Sequence, residues 1–169
     1  MRAGARLLFF MKTDKRETVL LDHFGFTMVE LMVSVSILAI LMAIAVPNML
    51  ANMPTTQLNG AARQVLGDLM WARSKAVSEN NQFVVTFPNN TSYIILDDNN
   101  KNGTADAGEW TRTQNIQTNF ADVALTKTGA NPVFSPRGTT AGATTITLTN
   151  SSGSPRTVSV SATGVVKIN

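Results

Sequence analysis

The stretch "GFTMVELMVSVSILAILMAIAVP", Gly25 to Pro47, decides how the rest of the chain is read. From Phe26 to Leu50 the sole ionisable residue is Glu30. At 1.5 Å of rise per residue, about 20 apolar residues cross a ~30 Å hydrocarbon layer. Leu31 to Leu50 has that length and is built of Leu, Ile, Met, Ala and Val. A cleaved secretory signal would have a shorter apolar core and a small-residue cut site after it, whereas Pro47-Asn48 follows here. A buried core helix would demand more wrapping than the remaining β-rich sequence offers. A plain membrane anchor explains the apolar residues but not Glu30. A carboxylate costs about 2.5–3.5 kcal/mol at the centre of a bilayer, and less near its surface.

Charge sets the expected orientation. Lys12, Lys15 and Arg16 precede the apolar run, and the first basic residue after it is Arg63. The positive-inside rule then places the N-terminus in the cytoplasm and the bulk of the chain outside. The net charge is +3, but the excess lies in the first 25 residues. The nearly neutral remainder does not suggest a nucleic-acid binder.

Beyond Pro47 and Pro54, which would kink or break a helix locally, apolar residues recur every three or four positions. Leu58, Ala62, Val65, Leu69, Ala72 and Ala76 form a stripe that Ala61, Leu66, Met70 and Val77 widen. This pattern predicts an amphipathic helix over Thr56 to Asn80, continuing the membrane helix. After Asn80 the period drops to two. "QFVVTF" (82–87), "SYIIL" (92–96), "TTITLT" (144–149), "TVSVS" (157–161) and "VVKI" (165–168) read as strands. Weaker candidates are Trp110 to Ile116, Val123 to Thr126 and Val133 to Ser135. The expected fold class is α+β, with a mostly antiparallel sheet packed on the helix.

The chain has no cysteine and one histidine, His23. This excludes a disulfide framework, a thiolate metal site and any imidazole-based triad in the C-terminal part, so no enzyme is expected. "DDNNKNGTADAGE" (97–109) follows the calcium-loop spacing D-x-[DN]-x-[DN]-G-x5-E. Asp98, Asn100 and Asn102 would offer side-chain oxygens, Thr104 its carbonyl, Asp106 the ninth position and Glu109 a bidentate carboxylate. Ca2+ takes six to eight such oxygens. A solvated turn uses the same residue types.

The opening stretch resembles the N-terminus of type IV pilins and type II secretion pseudopilins. "AARQVLGDLMWARSKAVSENNQFVV", "FSPRGTT" and "RTVSVSATGVVKI" resemble the GspH/FimT pseudopilins in particular. The resemblance implies a pilin-like fold and a division into four parts. These are a cleaved leader (1–25, or a shorter one beginning at Met11), a transmembrane and filament-core helix (26–50), its amphipathic continuation (51–80) and a β-rich periplasmic domain (81–169). It implies that prepilin peptidase cuts between Gly25 and Phe26 and that Phe26 is then N-methylated. It further implies that Glu30 directs assembly. The implied partners are other pilins or pseudopilins, the peptidase and the bacterial inner membrane. The implied role is a minor pseudopilin that promotes protein secretion, or a minor pilin. A FimT-like contribution to DNA uptake is the alternative, and its candidate contacts are Lys127, Arg137, Arg156 and Lys167.

Overall fold

The computed structural model describes residues 25–151 and 153–169. The expected leader, Lys12, Lys15, Arg16 and His23 lie outside the described residues, apart from Gly25. Two compact units divide at Leu41 and Met42, and one helix contributes to both. That helix, α1, is Met28–Ser78 and contains Pro47 and Pro54. The prolines predict a local kink or break, and the helical assignment passes through both, as the expected continuation into 51–80 requires. Each proline leaves one carbonyl of the preceding turn without its usual donor.

In the first unit, Thr27 caps α1. Its Oγ1 accepts the Glu30 N–H at 3.1 Å, and its carbonyl accepts from the Leu31 N–H. Thr-x-x-Glu is the spacing of a capping box, and it fixes where the helix begins. Two hydroxyls inside the apolar run donate one turn back: Ser34 Oγ to the Glu30 carbonyl and Ser36 Oγ to the Met32 carbonyl, both at 2.7 Å. Both hydroxyls are thus satisfied within the helix, as an apolar environment requires.

The second unit holds the rest of α1 and eight strands. α1 ends in a Schellman-type turn: Asn80 has φ 52°, and the Asn81 N–H donates to the Ala76 carbonyl. The strands are β1 (Gln82–Thr86), β2 (Ser92–Asp98), β3 (Thr111–Asn115), β4 (Ala124–Gly129), β5 (Val133–Phe134), β6 (Thr144–Thr149), β7 (Arg156–Val160) and β8 (Val166–Ile168). All pairings are antiparallel, but they form two sheets rather than one, ordered β3-β2-β1-β5 and β4-β6-β7-β8. The core joins Leu58, Val65, Leu69 and four helical alanines to Phe83, Tyr93 and Ile95 of one sheet and Ile146, Leu148 and Val158 of the other. The alanines let backbone approach closely, so both sheets reach one helix. Met70 and Val77, expected to widen the buried stripe, are instead half-exposed, because they lie about 120° around the helix from its buried centre.

Polar contacts secure this packing. Tyr93 is buried and donates its hydroxyl to Asp68 on α1. Arg73 Nε donates to the Gly138 carbonyl at 2.8 Å. That carbonyl also abuts Gly164 in the β7–β8 turn, where φ is +77° and a Cβ would stand 1.8 Å from the Gly138 oxygen. Near the prolines, Asn150 Nδ2 donates to the Pro54 carbonyl, and Arg156 Nε donates to Asn59 Oδ1, both at 2.9 Å.

Candidate functional site

Gly25 and Phe26 are exposed and lie outside any helix or strand, directly ahead of the Thr27 cap. A Cβ at Gly25 would meet nothing within 4 Å, so no described residue crowds this position. Glu30 stands exposed in the first turn of α1. There a carboxylate favourably opposes the positive end of the helix dipole. The large apolar residues from Leu31 to Leu50 are all at least half-exposed. The helix is long and apolar enough to cross a membrane. The geometry therefore offers an accessible peptide bond, a fixed helix start, a carboxylate one turn inside it and an apolar surface that needs covering. The sequence reading singled out Gly25, Phe26 and Glu30 but passed over Thr27, whose capping role the Thr-x-x-Glu spacing reveals.

In the 98–109 loop, carboxylate and amide oxygens are taken up by local donors. Asp98 is buried. Its Oδ1 accepts from the Asn102 N–H, and its Oδ2 accepts from the Gly103 N–H and from Gln82 Nε2. Glu109 Oε1 accepts from the Asn99 and Asn100 N–H groups, and its Oε2 from the Asp106 N–H. Asp106 Oδ2 accepts from the Asn100 and Asn102 amides, which hold its carboxyl below the ordinary value. Asn102 Oδ1 takes the Thr104 N–H and hydroxyl. Among the described residues, no group of three or more acidic, histidine or cysteine side chains is arranged to hold a metal ion. The loop's polar pattern is accounted for by a chain of side-chain-capped turns.

The four basic residues considered for DNA do not share one surface. Lys127 on β4 and Lys167 on β8 occupy opposite edges of their sheet, about 14 Å apart at normal strand spacing. Lys127 is level with Ile146 and Val158, whereas Lys167 pairs with Ser159, so the two also point to opposite faces. Lys127 donates to Asn131, and Arg156 is tied to Asn59 on α1. Arg137 is exposed in the β5–β6 loop.

The sequence reading also missed an aromatic cluster. The chain's two tryptophans, Trp71 and Trp110, meet with ring centroids 5.4 Å apart. They are far apart in sequence and share no motif spacing.

Comparison with known proteins follows this geometry. Residues 61–164 match the profile of the family described as Type II transport protein GspH. Residues 22–46 match the prokaryotic N-terminal methylation motif. No curated protein gives a match. Among solved structures, the fold is similar to the type IV minor pilin FimU of Pseudomonas aeruginosa strain PAO1. One crystal form gives a TM-score of 0.55 at 18% identity, covering 68% of this chain and 90% of that one. A second form gives 0.53 at 18% identity, covering 66% and 92%.

Proposed function

Since the chain belongs to the GspH family of type II transport proteins, we propose that it is a minor pseudopilin of a type II secretion system. Its role is structural rather than catalytic. Prepilin peptidase cuts after Gly25 and methylates the new terminus at Phe26. Before assembly the protein sits in the bacterial inner membrane, with its N-terminus in the cytoplasm and its β domain in the periplasm. After cleavage it joins other pilin-like subunits in a filament that promotes secretion.

One observation carries this reading. A Thr27-capped helix begins two residues beyond the exposed Gly25–Phe26 bond and presents Glu30 in its first turn. Cleavage there leaves the cap intact and creates a positive amine at Phe26. That amine faces the wrong end of its own helix dipole, so a carboxylate partner is favourable. We assign that partner to Glu30 of an adjoining subunit, in surroundings where an unpaired charge is costly. The bond between Glu30 and the amine then selects the register of the incoming subunit.

The test pairs processing with incorporation. Intact mass of the membrane-extracted protein should begin at methylated Phe26. Glu30→Gln keeps a capping-box residue but removes the charge. It should be cleaved normally yet enter filaments roughly hundredfold less well, from the ~3 kcal/mol lower limit for breaking a buried pair. Normal incorporation of Glu30→Gln would sink the pairing role. Incorporation into a type IV pilus but not a secretion pseudopilus, with both machines present, would reassign the system. The scattered placement of Lys127, Arg137, Arg156 and Lys167 gives no support to the DNA-uptake alternative.

A further inference from the structure

Trp71, Lys75, Glu79, Phe83, Asp97 and Trp110 line an open groove of about 370 Å³ within the second unit. Trp71 forms the floor. It packs edge-on against Phe83 at 6.3 Å and against Trp110 at 5.4 Å. Trp110 forms the rim and is 45% exposed. An indole left this open beside a second one has the composition of a binding hot spot rather than of a core.

The groove's charge identifies its guest. Lys75 Nζ lies 5.8 Å from the centre of the Trp71 ring and 2.7 Å from Glu79 Oε1. The cleft therefore already holds one cation by combining an indole face with a carboxylate. That hold is weak, because the pair is solvent-exposed and only one helical turn apart. Asp97, half-buried in the same groove, accepts from the Asn81 amide and has no cationic partner among the described residues. Among the charged side chains that line the groove, Glu79 and Asp97 outnumber Lys75. Arg112, the other cation near Trp71, is paired with Asp68. The rim thus presents excess negative charge around an aromatic floor, which attracts a cation and repels an anion.

We propose that this groove receives a basic side chain, preferentially arginine, from an extended segment of a partner protein, with Lys75 giving way to it. Arginine is favoured because its planar guanidinium stacks on indole while hydrogen-bonding a carboxylate. This docking does not depend on the assembly role of Glu30.

The chain's two tryptophans both lie in the groove, so intrinsic fluorescence reports on this site. Full-length protein in detergent micelles is titrated with end-blocked triarginine, triglutamate and trialanine. Triarginine should give a saturable change that weakens with added salt, and the other two should give none. Trp110→Ala should weaken binding about tenfold, measured by calorimetry. Lys75→Met, a surface change that removes the internal competitor, should tighten it several-fold. An unsaturable response to triarginine, an equal response to triglutamate, or a Lys75→Met protein that binds no better would each overturn the proposal.

Discussion

Replacing Gly164, a buried turn residue, by alanine should unfold the β domain more readily than so small a change suggests. Two terms add. Gly164 has φ +77°, and an L-residue there costs about 1–2 kcal/mol. The new Cβ would also lie 1.8 Å from the Gly138 oxygen and 2.9 Å from its carbonyl carbon. Backbone rather than a rotatable side chain is in the way, so the two turns must separate by roughly 1.5 Å to reach ordinary contact. The Gly138 carbonyl is the acceptor of the Arg73 Nε–H at 2.8 Å. Displacing it weakens a charge-assisted bond valued at about 1.5–3 kcal/mol. The total is about 4 kcal/mol, against a domain stability of roughly 5–15 kcal/mol. The control is Gly108→Ala, where φ is +95° but a Cβ meets nothing within 4 Å. It should show the backbone term alone, about 1–2 kcal/mol. Thermal unfolding of the full chain in detergent, followed by the near-ultraviolet dichroism of Trp71 and Trp110, gives both values. On the usual scaling for a domain of this size, Gly164→Ala should lower Tm by roughly 15 °C and Gly108→Ala by about 5 °C. Equal shifts for the two variants would refute the account of the Gly138–Gly164–Arg73 node.

Three further outcomes are expected. Thr27→Ala removes the cap of α1 and should cost about 1 kcal/mol of local helix stability. Faster amide exchange confined to the first turn would register this, while unchanged exchange at Glu30 and Leu31 would discount the cap. Gly60→Ala should destabilise despite a helix-propensity gain of about 1 kcal/mol, because its Cβ would stand 2.6 Å from Phe120 Cε1; pairing it with Phe120→Ala should recover that gain, and a stabilised single variant would contradict the contact. Burial, reinforced by its hydrogen bond to Asp68, raises the Tyr93 hydroxyl well above its usual 10.0. The folded state therefore keeps a proton that the unfolded state loses, so Tyr93's stabilising contribution is full below pH 10 and declines above it. Tyr93 is the chain's single tyrosine, so tyrosinate absorbance should stay absent until the domain unfolds in alkali, and reversible ionisation in the folded protein would count against this burial.

Much of this protein is legible one residue at a time. The apolar run, the lone Glu30 and the basic N-terminal flank define a membrane-compatible helix because hydrophobicity and helical rise are local properties. The Leu58 to Ala76 stripe and the alternating strands follow from side-chain periods of 3.6 and 2. Periodicity does not, however, reveal which strands pair. The eight expected strands divide into two sheets because Val133 and Phe134 join β1, while β4 pairs with β6 across the intervening chain. It also misjudged Met70 and Val77, since an apolar residue is buried only where another element covers its side of the helix.

The 97–109 segment shows the same boundary in its chemistry. Asp, Asn and Gly at alternate positions suit a calcium loop, and they equally suit turns in which side-chain oxygens accept nearby backbone N–H groups. Spacing is common to both, and the oxygens of Asp98, Asn102 and Glu109 here accept from nearby backbone N–H groups. The sequence by itself determined the α+β class, the apolar helix with Glu30 at its head and the pilin-like resemblance, since each is written in contiguous residues. Tertiary structure alone decided the two-sheet topology, the Gly138–Gly164–Arg73 node, the separation of Lys127 from Lys167 and the meeting of Trp71 with Trp110. Those features join residues far apart in the chain, and only the packing of helix against sheet brings them within reach of one another.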